Sequence, residues 1–221
     1  NFRRYRMQSK VILITTAILI IAPAVFFFAC DFGNLPAGKR LLASVFQSVT
    51  TRTAGFNTED LSLMTEAGKA VMILLMLIGG SPSSTAGGMK TTTFAVLILN
   101  ALATFRSRED AGAFGRRFDG QVIKNAATIA MLYFMLFFFG GITISVYEGL
   151  PVLTCFYEAA SAVGTVGLTL GITPELHIIS RLILIALMYL GRVGGMTLIY
   201  AVFSRKNNNG AKMPLEKITV G

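Results

Sequence analysis

Two long apolar runs carry no charged side chain: Val11–Cys30 covers 20 residues and Asn125–Tyr147 covers 23. A membrane-spanning helix needs about 20 mostly apolar residues. A secretory signal peptide has a shorter apolar core and a small-residue cleavage site, so the first run is also interpreted as a spanning helix. Hydrophobic residues make up 53% of the 221 residues and charged residues 14%, against about 25% charged in ordinary soluble domains. The sequence predicts an all-α membrane protein and excludes a disordered chain, a nucleic-acid-binding domain and an ordinary cytosolic enzyme.

Two further apolar segments depart from this pattern. Leu182–Phe203 is long enough to span, but Arg192 lies near its centre. Ala70–Ile78 begins another span, which the Gly-rich stretch Gly79–Gly88 interrupts before it resumes at Thr91–Phe105. Irregular backbone at membrane depth is tolerated where it lines a cavity or is buried in protein. We therefore expect a broken helix whose central loop lines a cavity.

Between the spans lie two segments that are too short and polar to cross a membrane. The first reads as a re-entrant helix, Lys39–Thr50, followed by an extended strand, Thr51–Phe56. The same order recurs at Pro151–Val163 and Gly164–Leu168. A shift of 112 residues places Thr53 and Gly55 on Thr165 and Gly167 without a gap. Span, loop and span thus form a repeated unit, which predicts a first repeat at 1–108, a cytoplasmic linker at 109–124, a second repeat at 125–205 and a cytoplasmic tail at 206–221.

The net charge of +9 tests this topology. Each repeat crosses twice, so both repeats begin and end on one side. Residues 3–10, 106–124 and 205–217 carry thirteen Lys and Arg, whereas residues 31–69 and 148–181 on the opposite side carry five. Lys and Arg concentrate in cytoplasmic loops of membrane proteins. The pattern predicts that both termini are cytoplasmic, with a lipid bilayer rather than nucleic acid as the surrounding partner.

A short re-entrant helix that ends in Thr-x-Gly has a distinct chemistry. The C-terminal end of a helix carries a partial negative charge, which favours a cation there. Glycine permits the backbone conformations that let carbonyl oxygens replace the hydration shell of an ion, and Thr-Val-Gly begins the filter sequence of potassium channels. Two such motifs 112 residues apart indicate a cation filter. Two ordinary glycine turns are the alternative interpretation.

Enzymatic chemistry finds little support in the sequence. Cys30 and Cys155 have no metal-ligand spacing, and His177, the single histidine, has no partner motif. Arg192, Lys90 and Glu158 do not form an acid–base or metal-binding set. We expect no enzyme and no covalently bound cofactor.

The longer motifs resemble those of the bacterial Trk/Ktr potassium-uptake family. They are TRTAGFNT at 51–58, GGSPSSTAGGMK at 79–90, VGTVGLT at 163–169 and GRVGG at 191–195. The tail at 214–221, PLEKITVG, is more similar to the Ktr branch and its membrane subunit, KtrB. The resemblance covers essentially the whole chain.

Members of that family have four repeats around one pore with pseudo-fourfold symmetry, and this chain matches the third and fourth. The resemblance therefore implies a C-terminal half whose ring is completed by an N-terminal half of the same pore; a second chain, in a two-repeat homodimeric pore, is the other interpretation. It further implies K⁺ uptake across the bacterial plasma membrane, with Na⁺ left open as a transported or coupling ion. A homodimer regulated by a cytosolic nucleotide-binding ring of the KtrA/TrkA type is also implied.

The resemblance assigns roles to residues of this sequence. The ion filter comprises Thr53, Ala54, Gly55, Phe56, Thr165, Val166, Gly167 and Leu168. The gate loop comprises Gly79, Gly80, Ser81, Ser84, Thr85, Gly87 and Gly88. Arg192 and Lys90 are the charges associated with the gate, and K⁺ is the metal ion expected at the filter carbonyls. A structural arginine paired with a buried carbonyl is the alternative for Arg192, and a lysine that snorkels to the membrane surface is the alternative for Lys90. Glu158 and Arg52 are interpreted as a structural ion pair or solvated side chains, with tuning of the outer vestibule as the alternative.

A second class of function stays open, which is a non-transporting membrane scaffold or receptor. Gly140-Gly141 and Gly194-Gly195 read as helix-packing sites in either case, because small residues let membrane helices approach closely. The scaffold predicts that Gly55 and Gly167 tolerate serine without an ion phenotype.

Overall fold

The computed structural model describes residues 4–108 and 110–194. The predicted span residues 195–203, residue 109 of the predicted linker and the predicted tail at 206–221 lie outside these ranges. Within them the chain is mostly helical. The helices are α1 (Met7–Cys30), α2 (Ala37–Thr50), α3 (Glu66–Leu77), α4 (Thr91–Phe105), α5 (Gly120–Glu148), α6 (Val152–Gly164) and α7 (Ile178–Val193).

Two of these helices, α1 and α5, are long and apolar enough to cross a membrane. Ile18, Ile21 and Val25 on α1 are each about 60% exposed. Large exposed apolar surface of this kind is uncommon on water-soluble proteins and suits a lipid environment. The helices α3 and α4, with 12 and 15 residues, are each too short to cross alone, as expected for a span broken in its middle.

Local sequence explains where the helices begin and end. The helices α2 and α6 each start directly after a proline, which is Pro36 for α2 and Pro151 for α6. The Thr65 hydroxyl accepts a hydrogen bond from Gly68 N at 3.0 Å and caps α3, an arrangement that satisfies a free N–H of the first turn. Gly149 adopts φ +67° and ends α5, as is typical of helix C-termini.

Helix α6 forms the centre of the described structure. It packs against α3, α5 and α7, and all residues from Tyr157 to Gly164 are buried. Helix α2 packs against α1 instead. Glycines allow the close contacts around α6: a Cβ on Gly141 would collide with the Phe156 ring, and one on Gly191 would collide with the Val163 carbonyl.

One expectation from the sequence is wrong, and one element was not predicted. Residues 51–56 and 164–168 do not form extended strands: Gly164 is the last residue of α6, residues 51–54 and 165 are turns, and the others are irregular. The linker region contains an unexpected β-hairpin, with β1 (Gly112–Ala113) antiparallel to β2 (Arg116–Arg117). Positive φ at Phe114 and Gly115 gives the two-residue turn that matches the twist of paired strands.

Candidate functional site

The two Thr-x-Gly segments share an unusual backbone conformation. Thr53 and Gly55 have φ of 76° and 75°, and Thr165 and Gly167 have φ of 52° and 94°. A β-branched residue with positive φ is rare, so the same feature at two threonines 112 residues apart is informative. Each segment directly follows a short helix, α2 or α6, whose C-terminal end carries a partial negative charge. The backbone here is positioned next to a favourable place for a cation.

The structure brings the two segments into direct contact. A Cβ on Gly55 would collide with the carbonyl oxygen of Val166. Gly55 therefore lies against the backbone of the second segment, and no larger residue fits without displacement. Gly167, by contrast, has no heavy atom within 4 Å of a Cβ built on it and is exposed. One glycine serves the contact between segments, and the other faces open space.

The Gly-rich loop between α3 and α4 is closed at its base. Gly79 N donates to Met89 O at 2.8 Å, and Met89 N donates to Leu77 O at 3.0 Å. A Cβ on Gly79 would collide with the Gly87 carbonyl.

Further contacts lie within the loop and at the start of α4. The Thr91 hydroxyl hydrogen-bonds Ser81 Oγ at 3.4 Å. Gly80 packs against the Ser84 side chain, and Gly88 takes a positive φ of 68°. The loop is a compact structure whose ends are held together.

This loop contacts the second Thr-x-Gly segment directly. Gly87 N donates a hydrogen bond to Thr165 Oγ1 at 3.1 Å, and a Cβ on Gly87 would collide with the Thr165 side chain. The hydroxyl of the first residue of the segment thus satisfies a backbone group of the loop. Movement of the loop away from this position breaks that hydrogen bond.

Two cations hold three successive carbonyls of the loop. Arg192 Nη1 donates to Thr85 O at 2.5 Å. Lys90 Nζ donates to Ala86 O at 2.6 Å and to Ser84 O at 3.3 Å. Hydrogen bonds from charged donors are shorter and stronger than neutral ones. The charges at these two positions are therefore engaged with the loop backbone.

Two cavities meet at Arg192. One, of about 530 Å³, is lined by residues 165–169 together with Glu158 and Met188. The other, of about 270 Å³, is lined by residues 84–86 of the loop, by Lys90 and by residues 191–194. Arg192 lines both. A charge at this place acts on anything that passes between the second segment and the loop.

Glu158 is a buried acid next to the second segment. Glu158 is 4% exposed and accepts three hydrogen bonds from the chain that follows the second segment. It is neither solvated nor part of an ion pair within the described ranges. Arg52 is partly buried, and its Nε and Nη1 have no hydrogen-bond partner among the described residues. An acid in the middle of an apolar helix was the available signal for Glu158.

In the described part of the chain, no group of His, Cys, Asp and Glu side chains could hold a metal ion. Backbone carbonyls and hydroxyls are the oxygen atoms that the predicted filter offers. Such ligands suit weak, replaceable binding of a monovalent cation rather than permanent retention of a metal.

Comparison with known proteins shows the family of the chain. A family model described as "TrkH: Cation transport protein" matches residues 5–210. The chain belongs to the TrkH cation transport family. Membership confirms the resemblance to Trk/Ktr proteins that the motifs indicated, and it confirms that the chain is a membrane protein of a transporter family rather than an enzyme.

Several TrkH-family relatives are similar along nearly the whole chain. The "Potassium/sodium uptake protein NtpJ" of Enterococcus hirae is 37% identical over 99% of this chain and 51% of its own length. The "Ktr system potassium uptake protein B" of Bacillus subtilis is 32% identical over 100% of this chain and 51% of its own length. The chain spans about half the length of these curated relatives.

A solved structure shows the same fold. The crystal structure of the potassium transporter TrkH from Vibrio parahaemolyticus superposes with a TM-score of 0.72 over 89% of this chain and 44% of that chain, at 19% identity. The expected all-α membrane fold is thereby confirmed.

Proposed function

We propose that this chain forms half of a potassium-uptake pore in the bacterial plasma membrane. The observation that carries the proposal is the meeting of the two Thr-x-Gly segments, with the Gly-rich loop held beside the second. Carbonyl oxygens of Thr53–Phe56 and Thr165–Leu168 replace the hydration shell of the ion. The helix ends of α2 and α6 add negative potential at the same place.

In this proposal the Gly-rich loop is the gate. The loop, residues 79–88, contacts Thr165 on one side and is held by Arg192 and Lys90 on the other. While these bonds persist, the loop occupies the exit from the filter. Release of the loop opens the path, and the fixed charge of Arg192 raises the barrier to a passing cation.

The remaining features complete the proposal. The same 112-residue offset relates the starts of α3 at Glu66 and α7 at Ile178, which supports two repeats of one pore with pseudo-fourfold symmetry. The other half of the ring comes from an N-terminal half of the same protein or from a second chain. Both termini are cytoplasmic, two pores associate as a homodimer, and a cytosolic nucleotide-binding ring regulates them. K⁺ is the transported ion, and the name of one relative, the potassium/sodium uptake protein NtpJ, supports Na⁺ as a further cargo or coupling ion.

The test is the ion preference of a Gly167→Ser variant of the full-length protein, measured as uptake of K⁺ and of Na⁺. Gly115→Ser is the control: Gly167 and Gly115 have φ of 94° and 74°, and neither has a heavy atom within 4 Å of its Cβ position. Both substitutions therefore place a side chain on a backbone with positive φ, but Gly115 lies in the linker hairpin and outside every Thr-x-Gly motif.

We expect Gly167→Ser to reduce the preference for K⁺ while Gly115→Ser leaves it unchanged at equal surface abundance. Equal preference in the two variants contradicts the filter assignment and favours the membrane scaffold, whose glycines serve only helix packing. Gly55→Ser is the less informative variant, because its side chain collides with the Val166 carbonyl.

A further inference from the structure

Glu158 is a buried acid that lies on the central helix α6 and belongs to none of the roles assigned so far. Its Oε1 accepts hydrogen bonds from Thr169 Oγ1 at 2.7 Å and from Leu170 N at 2.9 Å. Its Oε2 accepts a hydrogen bond from Thr173 Oγ1 at 2.8 Å. A charged or polar group is tolerated in a protein interior when hydrogen bonds replace its lost hydration. Here all three donors come from the chain that leaves the second Thr-x-Gly segment.

These contacts form a small network around the exit of the second segment. The Thr169 hydroxyl also accepts a hydrogen bond from Gly171 N at 2.9 Å and lies 3.0 Å from the Thr173 hydroxyl. The first donor is two residues from Gly167. The network therefore fixes the backbone directly after the segment, where the chain continues to line the same cavity of about 530 Å³.

The first Thr-x-Gly segment is held by different chemistry. Thr50, the last residue of α2, accepts a hydrogen bond from Phe56 N at 2.9 Å and donates one to Phe56 O at 2.7 Å. The 112-residue offset places Phe46 opposite Glu158 and Ala162 opposite Thr50. Neither anchor has a counterpart in the other repeat. The two segments are thus tied to their helices by a hydroxyl in one case and by a carboxylate in the other.

The Oε1 oxygen of Glu158 is an anchor. A carboxylate oxygen has about two acceptor positions; both positions on Oε1 are taken by protein donors, and Oε2 accepts one hydrogen bond. An ion that used Oε1 would have to displace Thr169 or Leu170. The carboxylate acts on the segment through the backbone that it holds.

We propose that Glu158 is a positioning residue for the second Thr-x-Gly segment and that it sets the ion preference of that segment by fixing its backbone at residues 167–170. This inference rests on the proposed function, in which that backbone provides ligands for K⁺. Loss of the anchor lets the carbonyls move, so that they accommodate Na⁺ as readily as K⁺. Thr50 performs the corresponding task in the first segment.

The test measures the ratio of K⁺ uptake to Na⁺ uptake in four variants of the full-length protein. The variants are compared at equal surface abundance. Glu158→Leu removes both acceptor oxygens and with them all three hydrogen bonds. Glu158→Gln keeps three hydrogen bonds without the charge, because the amide oxygen accepts from Thr169 and Leu170 while its NH₂ donates to the Thr173 hydroxyl. Thr173→Val removes one donor only. Glu175→Gln removes an exposed acid from the same connection and is the control.

We expect Glu158→Leu to lower the ratio about tenfold, which corresponds to about 1.4 kcal/mol. Glu158→Gln should restore a ratio close to that of the native protein, Thr173→Val should give an intermediate ratio, and Glu175→Gln should leave it unchanged. Rescue by the neutral amide distinguishes positioning from a direct effect of charge. If Glu158→Leu does not reach the membrane, Thr173→Val and Glu158→Gln still decide the question.

Two results overturn the inference. One is an unchanged ratio in Glu158→Leu or Thr173→Val. The other is a ratio in Glu158→Gln as low as that in Glu158→Leu, which assigns the effect to charge alone. Gly167→Ser separates this inference from the proposed function. If Gly167→Ser changes ion preference and the Glu158 variants do not, only the inference fails; if Gly167→Ser is also silent, the filter assignment fails with it.

Discussion

Removal of the Arg192 guanidinium is expected to increase cation flux through the pore. Its Nη1 donates a hydrogen bond to the Thr85 carbonyl at 2.5 Å and joins α7 to the Gly-rich loop across 107 residues of sequence. Arg192 and this hydrogen bond are exposed, so we assign the bond about 0.5–1.5 kcal/mol, the range of an ordinary hydrogen bond. Because about 1.4 kcal/mol is a factor of ten, Arg192→Gln should shift the closed–open equilibrium of the loop toward the open state by about twofold to about tenfold.

The assay is K⁺ flux into liposomes that contain equal amounts of the purified protein, supported by single-channel recording where openings are resolved. Arg192→Lys retains the charge at this position but loses the planar donor geometry. An intermediate flux in Arg192→Lys assigns part of the effect to the hydrogen bond and part to the electrostatic barrier.

Arg181→Gln is the matched control for this substitution. Arg181 lies on the same helix and donates to a backbone carbonyl, that of Pro174, but it does not contact the loop. We expect its flux to equal that of the native protein. Unchanged or reduced flux in Arg192→Gln would contradict the proposed role of Arg192 in the gate, because loss of the hydrogen bond and loss of the positive charge should both increase permeation.

Two further substitutions test the contacts around the second segment. Thr165→Val leaves the buried Gly87 N–H without its partner, a loss of about 1 kcal/mol or more, so loop opening should rise at least about fivefold in the same flux assay while Thr165→Ser stays near the native value. Gly191→Ala places a methyl group against the Val163 carbonyl and should destabilise the protein by about 1–3 kcal/mol. Thermal unfolding in detergent should show a lower Tm for this variant and no change for Gly33→Ala, whose Cβ meets no atom within 4 Å; equal Tm values would contradict the close packing of α6 and α7.

The sequence was sufficient to predict which segments are helical. Apolar runs gave α1 and α5, and α4 was predicted at its observed bounds, Thr91–Phe105. The glycines of residues 79–88 indicated the break between α3 and α4, because helix-breaking residues at that density are incompatible with a continuous span. The linker hairpin was not predicted, since strands of two residues have no detectable alternation.

The contacts within the site depend on tertiary packing, so fewer of them could be predicted from the sequence. The 112-residue repeat identified the two Thr-x-Gly motifs, but the sequence predicted extended strands at both. Positive φ at a threonine is contrary to the intrinsic preference of that residue, so the turns could not be predicted. A charge near the centre of an apolar run drew attention to Arg192. Its engagement with the Thr85 carbonyl required the fold, as did the partners of Glu158, which lie 11 to 15 residues further along the chain.

The most direct test of the proposed ion filter is the location of bound cations in the full-length protein. Thallium(I) replaces K⁺ and scatters X-rays anomalously, so crystals grown with thallium(I) report ion positions without any substitution. Anomalous density is expected within coordination distance of backbone carbonyls of both Thr53–Phe56 and Thr165–Leu168, and excess K⁺ should displace it more readily than excess Na⁺. Density confined to other parts of the molecule, with none at these two segments, would contradict the claim that they form the ion filter.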